Sequence, residues 1–279
     1  MLKKQIIIVL MSIMITTACS RLSLERRHNL AEGIAELSNM QEYVIEAGLF
    51  NLTTWQRVRE KEKPIHIYIE GDGLAWLSKY KVSPNPTPTN PLALELATRD
   101  IHPNVIYIAR PCQYTGWNKL GHCSSIYWTH SRTSDEIIKS FQIVLDKIKE
   151  KYSAKEFLIT GYSGGGAVAA ILAGLRTDVT AFRTIAGNLD YQTFTSYHKV
   201  SPMRGSMNPI NFAYDNRNKP QIHFIGGEDN IIPEAIFNRW AEVSNNPSCV
   251  KKYILPKAEH DNGWVKEWHR LQKMELECY

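Results

Sequence analysis

Three features of the sequence predict an α/β architecture: a mostly parallel twisted sheet with helices on both faces. Short β-patterned runs alternate with helix-patterned ones through most of the chain. Several of the strand runs, among them Val105-Ile106-Tyr107-Ile108-Ala109 and Phe157-Leu158-Ile159, are apolar almost without interruption. That is the pattern of a parallel strand covered on both faces. Polar, chemistry-bearing residues gather directly after the strand runs, at Gly71-Asp72-Gly73, Ser163, Asp229 and His260. Open parallel sheets hold their ligands at those carboxyl ends.

In chain order, Leu22 to Leu37 spaces Leu24, Leu30, Ile34 and Leu37 among polar residues, as an amphipathic helix or a partly ordered lead-in does. Met40 to Val58 carries β-formers on either side of Ala47-Gly48 and reads as a strand pair. Pro64 to Glu70 alternates Ile65, Ile67 and Ile69 with His66, Tyr68 and Glu70, and so has two distinct faces. Four prolines between residues 84 and 91 exclude a regular element and mark a surface loop. Asn90 is the candidate N-cap and Pro91 the first residue of a helix running to Thr98.

After the strand 105–109, residues 110–132 form a long segment rich in aromatics: Tyr114, Trp117, Tyr127 and Trp128. Ser134 is placed to cap a helix in which Ile137, Ile138, Phe141, Val144, Leu145 and Ile148 recur at helical spacing. The strand from Phe157 leads into Gly161-Tyr162-Ser163-Gly164-Gly165 and a helix of small residues. Val179 to Ala186 is the next strand, and 189–219 reads as irregular. Gln221 to Ile225 is a strand, Glu234 to Val243 a helix and Val250 to Leu255 the last strand. A helix from Val265 follows.

The chain has 279 residues, 43% hydrophobic and 22% charged, with a formal net charge of +5. Lys and Arg are scattered among Asp and Glu, so the composition points away from nucleic-acid partners. Lys3 and Lys4 precede an apolar run from Ile6 to Ile15 and then Thr16-Thr17-Ala18-Cys19-Ser20, the form of a secretory signal peptide over 1–18. The Thr-Thr-Ala-Cys ending resembles the bacterial lipobox, with Thr16 where leucine is usual. The resemblance implies a lipidated Cys19 as first mature residue and a membrane anchor there. Cleavage by ordinary signal peptidase, giving a secreted or periplasmic protein, is the alternative. Ser20 after the cysteine implies sorting to an outer membrane.

Segment 19–39 is then a lead-in, and 40–279 a single domain. In an oxidising compartment the remaining four cysteines are expected to pair, Cys112 with Cys123, close in sequence, and by elimination Cys249 with Cys278, with free buried thiols as the alternative. No spacing suggests a metal site, and no cofactor is expected.

Ser163 lies at the centre of G-x-S-x-G between a strand and a helix. Asp229 follows in Gly226-Gly227-Glu228-Asp229-Asn230-Ile231-Ile232-Pro233, and His260 follows the last strand. In this order and context the chain resembles the α/β-hydrolases from about Met40 to the C-terminus. The resemblance implies a serine esterase-like enzyme with Ser163 as nucleophile, His260 as base and Asp229 as the acid orienting it. The expected substrate is a small carboxylic ester or thioester, and peptide cleavage or acyl transfer by the same triad is the alternative. A non-catalytic binding lipoprotein on the same scaffold is the rival from another class.

One oxyanion donor is expected at Gly164. The second is expected in the loop after Ile65–Glu70, at Asp72 by position or at Gly73. There the chain has Glu70 where relatives carry histidine. Glu228 and Asp190 are the competing carboxylates and His198 the competing imidazole. Segments 111–132 and 189–219 are candidates for a lid or acyl pocket, or for ordinary core under long loops.

Overall fold

The computed structural model describes residues 24–115 and 122–279. The signal-like segment, Cys19 and Trp117 lie outside the described residues. Helix α1 (24–36) buries Ala31 and Ala35 against the rest of the chain. Arg27 reaches the Thr87 carbonyl at 2.9 Å. Among the described residues no helix is long and apolar enough to cross a membrane.

Among the described residues eight strands form one sheet: β1 (Gln41–Ala47), β2 (Phe50–Val58), β3 (Ile65–Ile69), β6 (Asn104–Ile108), β7 (Phe157–Tyr162), β8 (Val179–Ile185), β9 (Gln221–Gly226) and β10 (Val250–Leu255). Their spatial order is β1-β2-β6-β3-β7-β8-β9-β10. From β6 to β10 all neighbours are parallel; only β1–β2 and β2–β6 are antiparallel. Gly48, at φ +71°, turns β1 into β2. β4 (Trp76–Ser78) and β5 (Lys81–Val82) form a small separate ribbon.

The helices are α2 (Leu92–Thr98), α3 (Asp135–Tyr152), α4 (Gly164–Leu175), α5 (Tyr191–His198), α6 (Glu234–Ser244) and α7 (Trp264–Leu271). Neighbouring residues on a strand point to opposite faces, and β9 shows where the helices lie. His223 touches Phe237 and Trp240 of α6, while Phe224 meets Trp268 of α7. A Cβ on Gly166 of α4 would meet Thr184, which bonds His223, so α4 shares the α6 face. α3 packs on α4, and α2 packs with α7. Helices therefore cover both faces, as the alternation predicts.

Three local readings differ from the structure. Pro91, not Asn90, holds the N-cap position of α2 and makes no side-chain cap bond. Segment 189–219 is not wholly irregular: it contains α5 and a 3₁₀ turn, Pro209–Phe212. Asp190 nucleates α5 by accepting the N–H groups of Gln192 and Thr193. Ser134 does stand at the N-cap of α3, in extended backbone, but its side chain makes no cap bond.

Candidate active site

The elbow between β7 and α4 fits because its glycines leave room. A Cβ on Gly161 would lie 2.2 Å from the Gly165 carbonyl oxygen, and one on Gly165 would lie 2.3 Å from that of Ile69. Strand and helix thus touch backbone to backbone. Between them Ser163 is held at φ 50°, ψ −116°, a conformation that costs a non-glycine residue about 1–3 kcal/mol. Hydrogen bonds secure it: Ser163 N–H donates to Ile185 O at 2.9 Å, and Ser163 O accepts Gly166 N–H at 3.0 Å and Asn188 N–H at 3.1 Å.

The loops after β9 and β10 are stitched together. Gly227 N–H donates to Leu255 O at 2.9 Å and Glu228 N–H to Ala258 O at 3.0 Å. Asp229 is thereby carried against the loop that bears His260. The Asp229 side chain is fully buried. Its Oδ1 accepts the N–H groups of Ile231 at 2.7 Å and Ile232 at 2.9 Å. Its Oδ2 lies 3.0 Å from His260 Nδ1. On the other side of the ring, His260 Nε2 lies 3.0 Å from Ser163 Oγ. The Trp264 indole donates to Glu259 O at 2.9 Å and to His260 O at 3.1 Å, fixing the backbone beneath the imidazole.

The competing residues lie elsewhere. Glu228 is exposed. Asp190 caps α5 and also bonds Asn208. His198 Nε2 pairs with the Ile231 carbonyl at 2.7 Å. His66 pairs with Asp100 at 2.8 Å and stacks on His102. His223 is buried, and burial pushes its pKa down to about 3.

On the far side of Ser163 lies the loop after β3. The N–H groups of Asp72, Gly73 and Gly164 have no hydrogen-bond partner among the described residues. The Asp72 carboxylate rests on the α-carbon of Gly164, where a Cβ would come within 2.2 Å of Oδ1. Gly73, at φ +63°, presents its α-carbon to Pro86 and Gln113. Asp72 Oδ1 accepts from Arg110 Nη1 at 3.0 Å, and its Oδ2 pairs with Arg132. Gln113 Nε2 donates to Gly71 O at 3.0 Å, and Gln113 Oε1 accepts the Arg110 N–H at 3.0 Å.

Glu70 is buried under this loop. It accepts the Gly71 N–H at 2.9 Å and the Tyr107 hydroxyl at 3.1 Å. Burial pushes its pKa up to about 7, opposed by these bonds and by the N–H groups of Ala93 and Leu94 at the start of α2.

Ser163 and His260 open into a cleft of about 210 Å³. Glu70, Asp72, Gly73, Leu74, Pro88, Thr89, Asn90, Tyr162 and Asp261 complete its wall. Neither 111–132 nor 189–219 contributes to that wall among the described residues. Three of the loop aromatics turn inward, the ordinary-core alternative: Tyr114 packs on Trp55, Tyr127 on Phe50, and Trp128 bonds Ser83 O at 3.1 Å.

Arg110, Gln113, Arg132 and Tyr162 were not singled out in the sequence. Arg110 follows the end of β6, the same kind of position that marks the other site residues. Cys112 and Cys123 are joined, as are Cys249 and Cys278. Among the described residues no group of His, Cys, Asp or Glu is arranged to hold a metal ion.

Strand order, helices on both faces and the cluster of Ser163, His260 and Asp229 beyond the carboxyl ends of the strands define an α/β-hydrolase fold. Solved structures share it. An esterase of Pyrococcus furiosus superposes with a TM-score of 0.60 at 16% identity, covering 85% of this chain and 91% of its own. An alpha-beta serine hydrolase homologue from Coxiella burnetii gives 0.57 at 14%, covering 84% and 94%. An acylaminoacyl peptidase of Pyrococcus horikoshii gives 0.60 at 13%, covering 84% of this chain and 39% of the peptidase. At such identities the likeness is one of fold. No protein-family model and no curated protein matches the sequence.

Proposed function

We propose that the chain is an exported serine hydrolase that cleaves small carboxylic esters or thioesters through an acyl-enzyme. The observation that carries this reading is His260, with one ring nitrogen 3.0 Å from Ser163 Oγ and the other 3.0 Å from Asp229 Oδ2. A serine hydroxyl is a weak nucleophile until a base takes its proton.

In the proposed cycle His260 Nε2 accepts the Ser163 proton as Oγ bonds the substrate carbonyl carbon. The carbonyl electrons move to oxygen, which the Gly164 and Asp72 N–H groups receive. The tetrahedral species collapses, the C–O or C–S bond breaks, and the leaving group takes the proton from His260. Water repeats the sequence and releases the acid. Asp229 keeps the Nδ1–H tautomer and stabilises the imidazolium. The Cys112–Cys123 and Cys249–Cys278 bridges accord with export, and a lipid anchor at Cys19 belongs to the same proposal. The esterase and serine-hydrolase neighbours accord with the reaction class.

The test is intact-mass analysis after treatment with a fluorophosphonate, together with turnover of activated esters. One adduct on Ser163, absent in Ser163→Ala, is expected alongside ester turnover. A folded protein that neither labels nor turns over would instead be the binding lipoprotein. Adding a competing alcohol or peptide acceptor separates hydrolysis from acyl transfer, and a peptide amide panel separates both from peptidase activity.

A further inference from the structure

Asp72 places a carboxylate against Gly164, beside the ground where the proposed reaction builds negative charge. A free carboxylate there would oppose catalysis. It is not free: Arg110 holds Oδ1 and Arg132 pairs with Oδ2. The three side chains are 15%, 5% and 11% exposed, respectively. Arg110 also donates to the Arg132 carbonyl, and Arg132 Nε donates to Thr129 O at 2.8 Å.

The charge count does not balance. Two guanidiniums meet one carboxylate. The remaining titratable neighbour of Arg110 is Tyr191, which burial keeps neutral by pushing its pKa up to about 12. Burying an excess cation is unfavourable unless a partner arrives. An oxyanion on the Gly164 and Asp72 amides is such a partner.

Gln113 contributes separately. The carbonyl of Gly71 and the N–H of Asp72 belong to one peptide plane and point in opposite directions. By holding that carbonyl at 3.0 Å, Gln113 turns the Asp72 N–H the other way, and that N–H makes no bond among the described residues.

We propose that Arg110, Arg132 and Gln113 are positioning residues that act through the 71–72 peptide and the Asp72 side chain. Together they aim the Asp72 N–H at the oxyanion and more than offset the Asp72 carboxylate beside it. This rests on Ser163 being the nucleophile. The clamp is selective for the transition state: the aimed N–H and the guanidiniums interact most strongly with the carbonyl oxygen once it becomes an oxyanion.

Arg132→Gln, Arg132→Lys and Gln113→Met test it, with an activated aryl acetate as substrate and a trifluoromethyl ketone as probe. The ketone adds Ser163 Oγ to its carbonyl carbon, the proton passes to His260, and its oxygen becomes an oxyanion. In Arg132→Gln, kcat is expected to fall about 10–10²-fold, short of the roughly 10²–10³ typical of a donor that bonds the oxyanion directly, while KM changes less than about threefold. Ketone affinity should fall by the same factor as kcat/KM, because both measure stabilisation of the same charged species. Arg132→Lys restores the charge and should recover about tenfold of the loss. Gln113→Met, which keeps the charge, should lower kcat and ketone affinity together.

If Arg132→Gln does not fold, the lysine and methionine variants decide the matter by the same parallel. Unchanged kcat, or a loss carried by KM with ketone affinity intact, overturns the clamp while leaving Ser163 as nucleophile. A wild-type protein that forms no Ser163 adduct and hydrolyses no ester overturns both.

Discussion

Replacing Glu70 by glutamine should remove a pH dependence of stability. The carboxyl of Glu70 is buried, and its pKa rises from an ordinary 4.5 to about 7. Between these values the unfolded chain has lost the proton that the folded chain keeps. Stability from this group is therefore full below pH 4.5, declines as pH rises, and levels off above about 7. At 1.36 kcal/mol per pKa unit the decline is about 3 kcal/mol. Glutamine has nearly the same shape, can still accept the Gly71 N–H, and does not titrate.

The assay is urea unfolding of both proteins at half-unit steps from pH 4 to 8.5. The quantity to follow is wild-type stability minus that of Glu70→Gln. His223, whose pKa burial lowers to about 3, makes both proteins more stable as pH rises through that acid range. It acts alike in each, so the difference cancels it. The difference should fall by about 3 kcal/mol across pH 4.5–7. A difference flat to within about 0.5 kcal/mol, or one that rises with pH, would refute the assignment of a raised pKa to buried Glu70.

The remaining predictions concern the relay, the elbow and a cross-link. Asp229→Asn should lower kcat by about 10⁴-fold by favouring the wrong imidazole tautomer. Asp190→Ala should leave kcat unchanged and cost about 1–2 kcal/mol as a lost helix cap; steady-state kinetics with thermal melts on both variants separates acid from cap. Gly161→Ala places a Cβ 2.2 Å from a backbone oxygen and should cost about 3 kcal/mol or more, read from denaturant midpoints. Cys278→Ser opens a loop spanning 29 residues and should cost about 3–4 kcal/mol by loop-closure entropy, with kcat unchanged. Cys249 O accepts the Gln221 N–H at the amino end of β9, opposite the carboxyl end that faces the cleft, so a loss of activity from that substitution at a temperature where the protein is folded would contradict a purely structural bridge.

Much of this architecture is legible locally. Burial on both faces writes itself as an unbroken apolar run in β6, and close strand–helix contact writes itself as the glycines around Ser163. The proximity of Ser163, Asp229 and His260 could be anticipated because each follows a strand run of a parallel sheet. α5 was hidden because Tyr191 to His198 is rich in Tyr, Thr and Phe, weak helix formers. Its one local signal was Asp190, which sequence reading weighed as an acid rather than as a cap.

The Asp72 clamp was hidden for another reason. Its arginines stand 38 and 60 residues away, and no periodicity encodes a side-chain pairing over that distance. The aromatics of 110–132 read equally as a substrate surface or as ordinary core under a long loop; Tyr114, Tyr127 and Trp128 take the second alternative, and the cleft is lined by residues of other loops.

The wall formed by Pro88, Thr89 and Asn90 has a kinetic meaning. The neighbouring backbone is tied down before any ligand arrives: Leu74 N–H donates to Pro86 O at 3.1 Å, and Thr87 Oγ1 accepts the Tyr114 N–H at 2.9 Å. Its prolines have little backbone freedom to lose. A ligand entering here meets a mould rather than a jaw. Discrimination by this wall must come from shape and polarity already in place, and ordering it adds little entropic cost to each encounter.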